Sequence, residues 1–232
     1  MNHYDIIAVQ EFWFFQRYAS EFKRKMQDFG YIFYGQKRQH RDDGVAVFVK
    51  DKYQVVSCRK FTIELGDRAV SMEFDFSFNP LVIVRVRIGK NQDILLGNTH
   101  LTFPYGDSEE NVWRREQMNV LMKEIEDLSD GEQPIVICGD LNCSRRKRDV
   151  VVSDLQESGY HSCYKLNEFV SHIHWFGEEV GADYIFLRDR FGTLEKEESY
   201  LYPKDESDQQ WTRDFLTSDH RPIICKFFVN NK

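Results

Sequence analysis

Pro134-Ile135-Val136-Ile137-Cys138-Gly139-Asp140-Leu141-Asn142 is the stretch on which the reading of this chain turns. Four apolar residues in succession suit a short strand buried on both faces. The run ends at a glycine and then presents an acid, with an amide two residues on. In an extended segment, residues two apart project to the same side, so Asp140 and Asn142 are expected to face one place. A buried strand delivering polar groups at its end is the arrangement in which a rigid scaffold fixes a reactive side chain.

The same pattern recurs outward along the chain. Asp5–Gln10 is an apolar run expected to be a strand buried on both faces, and it ends in Glu11. Asp93–Asn98 is a strand running into Asn98-Thr99-His100. Ala182–Leu187 is a strand opened by Asp183, and Ser218-Asp219-His220 stands just before a last strand, Ile223–Val229. Alone, each signature is an ordinary turn or a satisfied surface group. Together they are what a phosphoester hydrolysis site is expected to need.

Hard cations such as Mg²⁺ take carboxylate oxygens, and Glu11 and Asp219 are the natural metal pair, with Mn²⁺ the other candidate ion. Asp140 suits the orientation or deprotonation of water, and Asn142 the stabilisation of charge on a phosphoryl oxygen. His220 and His100 suit phosphate binding or proton handling, with Asp183 as the carboxylate that orients His220.

Between these points, Glu21–Phe29 and Asp149–Ser158 read as helices ended by glycine. Glu109–Leu128 is a long helix with an expected inner face of Val112, Arg115, Met118, Leu121, Met122 and Ile125. Tyr31–Tyr34, Val45–Val49, Tyr53–Phe61, Leu81–Ile88 and an alternating Ala69–Phe78 are expected strands. The acidic stretch Lys196–Gln210 reads as a surface loop. Strands of both fully apolar and alternating type, with helices between them, imply two packed sheets flanked by helices.

The 232 residues are 41% hydrophobic and 15% aromatic, enough for a substantial core without disulfides. The five cysteines form no C-x-x-C pair, which suits free thiols and gives neither a zinc site nor a thiol nucleophile. A net charge of −7 argues against a general nucleic-acid coat protein but leaves room for a local basic groove. Two clusters offer one, Lys37-Arg38 with His40-Arg41, and Arg145-Arg146-Lys147-Arg148. Trp13, Phe14 and Phe15 are expected either in the core or as a surface that stacks on a base or touches lipid. No apolar run is long enough for a membrane helix and no signal peptide is visible, so a cytoplasmic or nuclear location is expected.

Gln10-Glu11, Gly44-Val45-Ala46-Val47-Phe48, Asn98-Thr99-His100-Leu101, Gly139-Asp140-Leu141-Asn142, Ala182-Asp183-Tyr184-Ile185-Phe186 and Ser218-Asp219-His220 resemble, in order and context, the endonuclease/exonuclease/phosphatase superfamily. Gly66-Asp67-Arg68, Arg114-x-x-Gln117 and Val170-Ser171-His172 resemble a eukaryotic branch of it often found with calcium-binding repeats, although no EF-hand loop is present. The resemblance implies a four-layered α/β sandwich and an Mg²⁺-dependent phosphodiesterase or phosphatase acting on nucleic acid, inositol phosphate or a phospholipid head group. It implies Glu11 as metal ligand with Asp219 beside it, Asp140 and Asn142 at the nucleophilic water, His220 paired with Asp183, and His100 as a second phosphate-side histidine. That family usually carries an earlier strand before its Gln-Glu strand. One domain over 1–232, incomplete at its N-terminus, is therefore expected, with a catalytically impaired binding or scaffold paralogue as the alternative.

Overall fold

The structure is a computed structural model that describes residues 3–15, 17–64, 78–103, 109–143, 149–165, 169–173, 179–204 and 218–230. Along the chain the elements are β1 (Ile6–Val9), α1 (Arg17–Asp28), β2 (Tyr31–Lys37), β3 (Gly44–Lys50), β4 (Gln54–Glu64), β5 (Phe78–Arg87), β6 (Asp93–His100), α2 (Glu109–Leu128), β7 (Ile135–Asp140), α3 (Val150–Glu157), β8 (His161–Ser162), β9 (His172–Ile173), β10 (Glu179–Val180), β11 (Asp183–Arg188), β12 (Leu194–Leu201) and β13 (Ile223–Val229). Residues 69–77 of the expected alternating strand, Gly66-Asp67-Arg68 and the Arg145–Arg148 cluster lie outside the described residues.

Two sheets carry the architecture. One has the order β1-β3-β2, and the other, six-stranded, has the order β4-β5-β6-β7-β11-β8. Their facing sides meet through Val45, Val47 and Val49 of β3 and Val82, Val84, Val86, Ile94, Leu96 and Val136 of the larger sheet. The alternate residues point outward. Ala46 and Phe48 pack under α1 against Ala19 and Met26. Leu81, Ile83, Leu95, Ile135 and Ile137 pack under α2 and α3 against Met118, Leu121, Ile125, Val151 and Leu155. The period-two alternation of each strand therefore feeds two apolar layers at once, giving helix, sheet, sheet, helix. Burying one such side chain contributes roughly 1.5–3 kcal/mol. The hairpin of β12 and β13 adds Leu194, Phe227 and Val229 to the layer between the sheets.

β6 and β7 run parallel, and α2 makes the crossover between them. The other pairings in both sheets are antiparallel. At the end of the parallel pair, Gly139 has φ +145°, and a Cβ there would lie 1.9 Å from the Thr99 carbonyl oxygen. Only glycine permits that approach.

Three expectations are corrected. β1 is an edge strand paired with β3 alone among the described residues, and its four residues are half-buried rather than covered on both faces. Lys196–Leu201 is not loop but part of β12, paired with β13 through an irregularity between Lys196 and Glu198. α2 has the expected bounds but a different inner face: Val112 and Arg115 are exposed, while Arg114 and Gln117 are buried with Met118, Leu121 and Ile125. Arg114 donates to the Leu141 carbonyl at 2.9 and 3.2 Å and to an Asp149 carboxylate oxygen at 2.9 Å. Asp149 also caps α3, accepting from the Val151 and Val152 amides. Gln117 accepts from the Thr102 amide at 3.0 Å and donates to the Thr102 hydroxyl at 2.6 Å. Helix α2 thus grips the segments that follow β6 and β7.

Two stability losses are expected. Gly139→Ala forces backbone apart and costs about 3 kcal/mol by urea unfolding. Arg114→Ala leaves a buried carboxylate and carbonyl unpaired and costs about 3–5 kcal/mol, several times the effect of Arg115→Ala on the exposed side of the same helix.

Candidate active site

The register of the larger sheet assembles the candidate residues. In the parallel pair His100 stands opposite Asp140, and in the antiparallel pair Asp183 stands opposite Asp140. Three adjacent strand ends therefore place His100, Asp140 and Asp183 in one row. Their neighbours lock the row from both flanks. The Leu101 amide donates to the Asp140 carbonyl at 2.9 Å, and the Leu141 amide to the Ala182 carbonyl at 2.9 Å. Ser171 Oγ accepts from the Ala182 and Asp183 amides, each at 3.0 Å, and the Ser171 carbonyl accepts from the Arg221 amide. The segment holding His220 is tied in this way to the strand holding Asp183.

His220 joins the row through its side chain. Its Nδ1 donates to Asp183 Oδ2 at 2.9 Å, and its Nε2 lies 3.8 Å from Asp140 Oδ2. Burial alone pulls His220 down, but Asp183, Asp140 and Asp219 overcome it and raise the ring to about 10, so it is an imidazolium at neutral pH. Burial, then the charge of Asp183, pushes Asp140 up to about 7, with Glu11 adding to the rise and His220 and the Asn142 amide opposing it. The neighbourhood of Asp140 is over-supplied with negative charge.

His100 differs from His220. Arg38 donates to its Nδ1 at 3.3 Å, and because a guanidinium has no acceptor, the ring proton sits on Nε2, 3.4 Å from Asp140 Oδ2. Burial, then the cations Arg38, His220 and Arg41, hold His100 well below the usual histidine range. The two histidines that flank Asp140 are therefore one neutral and one cationic.

Asn142 and Glu11 share a backbone oddity, each with φ +51°. Asparagine tolerates that region, whereas for glutamate it is strained by about 1–3 kcal/mol. The Asn142 amide N–H donates to Asp140 Oδ1 at 2.8 Å, and its side-chain amide donates to the Leu101 carbonyl at 2.7 Å. Glu11 is exposed and follows Gln10, whose amide donates to Asn98 Oδ1 at 2.6 Å. Asn98 is fully buried and in turn donates to the Val9 and Ala46 carbonyls at 3.1 and 3.0 Å. Asn98 is thus not a turn former but a clamp between the two sheets, and it carries the turn of Glu11 toward the row.

Among the described residues, two groups have the donor atoms to hold a cation: Asp140, Asp183 and His220, and His172, Asp219 and His220. Asp219 belongs to the second, with its side chain 70% exposed, and Glu11 belongs to neither. The geometry therefore brings Asp140, Asp183, His220 and His100 together, sets Asn142 against them, and does not join Glu11 to Asp219 in one group. The reading by residue type overlooked two side chains. His172 stacks on His220 with ring centres 4.1 Å apart, and its Nδ1 donates to the Asp219 carbonyl. Arg38 is buried, not a solvated member of a basic run. The motif Val170-Ser171-His172 is the signal for the first, and the basic cluster Lys37-Arg38 marks the second without showing that Arg38 is buried against His100.

Comparison with known proteins agrees with this architecture. Over 199 residues the chain is 27% identical to an uncharacterized calcium-binding protein of Arabidopsis thaliana, covering 78% of this chain and 40% of that one. The chain thus spans less than half the length of that relative. Its fold is similar to the human Nocturnin catalytic domain, with a TM-score of 0.68 at 18% identity over 97% of this chain and 81% of that one. It is similar to ANGEL2, described as a 2′,3′-cyclic phosphatase, with a TM-score of 0.72 at 19% identity over 96% and 81% of the two chains. Truncated Caenorhabditis elegans TDP2 gives 0.69 at 18% identity over 98% and 86%. At these identities the likeness shows the fold alone. Residues 1–220 match the family profile itself, and the chain belongs to the endonuclease/exonuclease/phosphatase family.

Proposed function

We propose that the chain is a divalent-metal-dependent phosphoester hydrolase that uses an activated water. The observation that carries this reading is the row of His100, Asp140 and Asp183 closed by the 2.9 Å contact of His220 with Asp183. A non-catalytic binding or scaffold domain has no need to hold two carboxylates and two histidines against one another inside a protein, where each is costly to bury. Family membership and the fold shared with a 2′,3′-cyclic phosphatase support a phosphoester as substrate.

The donor set suits Mg²⁺ or Mn²⁺. Carboxylate oxygens dominate the group of Asp140, Asp183 and His220, and Asp140 is raised first by burial and then by the charge of Asp183, a carboxylate pair that a hard cation relieves. Glu11 is the proposed ligand, with Asp219 beside the metal. A bound cation supplies Lewis-acid polarisation of the phosphoryl oxygen.

The residues of the chain do the rest. Asp140, held by the Asn142 amide, orients water and takes its proton as the new P–O bond forms and the bond to the leaving oxygen breaks. The imidazolium of His220, kept charged by Asp183, donates to a phosphoryl oxygen as negative charge builds there. His100, neutral with its proton on Nε2, offers a second donor without adding charge. The side-chain amide of Asn142 has a second N–H beyond the one given to Leu101, and it completes the cradle.

The test is hydrolysis of bis(p-nitrophenyl) phosphate by the purified chain with Mg²⁺ or Mn²⁺. Turnover is expected, is abolished by a chelator and returns on adding metal. Asp140→Asn and His220→Gln each lower kcat by about 10²–10⁴-fold while leaving thermal unfolding close to that of the parent. Absence of metal-dependent turnover, or full activity in Asp140→Asn, overturns the proposal.

A further inference from the structure

The residues after Glu11 form a surface that the chemistry above does not use. Phe12 is buried, and Phe14 packs edge-on against Phe12 and Phe33. Their neighbours face the other way: Trp13, Phe15 and Tyr18 are exposed by 45%, 70% and 76%. The segment is laced to the turn between β2 and β3, for the Phe12 amide donates to the Gly44 carbonyl at 2.9 Å and the Phe14 amide to the Asp42 carbonyl at 2.8 Å. That turn brings Lys37 over the ring of Phe15, with Nζ 4.4 Å from its centre, and Asp42 holds the same ammonium at 3.4 Å. Arg41 stands on the turn with its side chain half exposed and paired with the buried Asp43. The next residue after Lys37 is Arg38, which touches His100. Through the buried Arg38 the turn that carries Lys37 is joined to His100 of the row.

Charge points the same way. Residues 12–43 contain seven Lys or Arg against four Asp or Glu, in a chain whose net charge is −7. This net-positive stretch lies beside exposed rings, and its Arg38 reaches His100. Aromatic faces bind bases through stacking that every base can make, and interleaved cations bind the phosphates between them. A duplex hides its bases from such rings, whereas a single strand offers them. A membrane surface fits less well. Ala19 and Met26 of α1 are spent on the core, and its outer face carries the ion pairs of Arg24 with Asp28 and Lys25 with Glu21, so the exposed rings stand beside a charged helix surface and not on a continuous apolar face.

We infer that the rim formed by Phe15, Tyr18, Lys37 and Arg41 binds single-stranded nucleic acid, with bases on the two rings and phosphates on the two cations, and feeds the strand toward His100. This names the substrate class of the proposed hydrolase, and its consequence for cleavage rests on that reading; binding does not.

The experiment separates the two. Fluorescence anisotropy with a short single-stranded oligonucleotide, in a chelator so that nothing is cut, reads binding by the parent chain, Phe15→Ala and Lys37→Ala. Turnover of bis(p-nitrophenyl) phosphate with metal, too small to reach the rim, reads the chemistry. Salt-dependent binding is expected for the parent. Phe15→Ala raises Kd about tenfold. Lys37→Ala raises Kd and makes the slope of log Kd against log salt shallower by about one. Neither variant changes turnover of the small diester. Unchanged Kd in both variants overturns the inference. So does a parent chain that ignores the oligonucleotide but binds vesicles containing phosphatidylserine and loses them on Phe15→Ala. Loss of oligonucleotide binding in the variants, with no turnover in the parent, keeps the inference and removes the hydrolase reading.

Discussion

The parallel pairing of β6 with β7 is closed so tightly that the Thr99 carbonyl occupies the space a side chain at Gly139 would need. Everything at the candidate site is built on that contact. β6 and β7 are paired in the register that puts His100 opposite Asp140, and the antiparallel partner β11 is paired in the register that puts Asp183 opposite Asp140. A slip of one residue would turn every core side chain of β11 outward, so apolar burial enforces the geometry of the polar row. The pairing of an apolar constraint with a chemical outcome explains why charged groups survive there. The sheet cannot relax to separate them.

Helix α2 and the residues flanking the row supply the second restraint. Backbone leaving a sheet normally gains freedom, but residues 101–103 after β6 and 141–143 after β7 are held. Gln117 fastens Thr102, Arg114 fastens Leu141 and Asp149, and Asn142 fastens Leu101. Asn98 does the same across the sandwich for the strand before Glu11. These are buried polar groups with their partners satisfied, which makes them rigid and specific rather than merely tolerated. The exposed rim at Phe15 and Lys37 is attached to the same frame and stays outside it.

The sequence was most readable where apolar pattern and function coincide. The bounds of α2 and β13 match the expectation, and Asp140, Asp183, His100 and His220 converge as the strand-end signatures implied. It was least readable where polar residues do the work of packing. Arg114 and Gln117 break the apolar period of α2 yet face inward, because the carbonyl and carboxylate partners that pay for their burial come from distant segments that periodicity cannot see. β12 reads as acidic loop because it buries only a few of its side chains and takes its order from pairing with β13. Residue type names Glu11 and Asp219 as oxygen donors but does not give the distance between their strand ends, and the grouping of Asp219 with His172 and His220 is visible only in the fold. His220 and Asp183, 37 residues apart, meet at 2.9 Å, a contact that chemistry suggests without periodicity because a carboxylate fixes the tautomer of an imidazole.

The central claim is that Asp183 holds His220 as a cation facing Asp140. Titration of the histidine ring resonances by NMR in the metal-free chain measures it directly. His220 is expected to titrate far above the ordinary 6.5, toward about 10, and to fall back toward the ordinary range in Asp183→Asn. A His220 that titrates at or below 6.5 in the parent chain would contradict it.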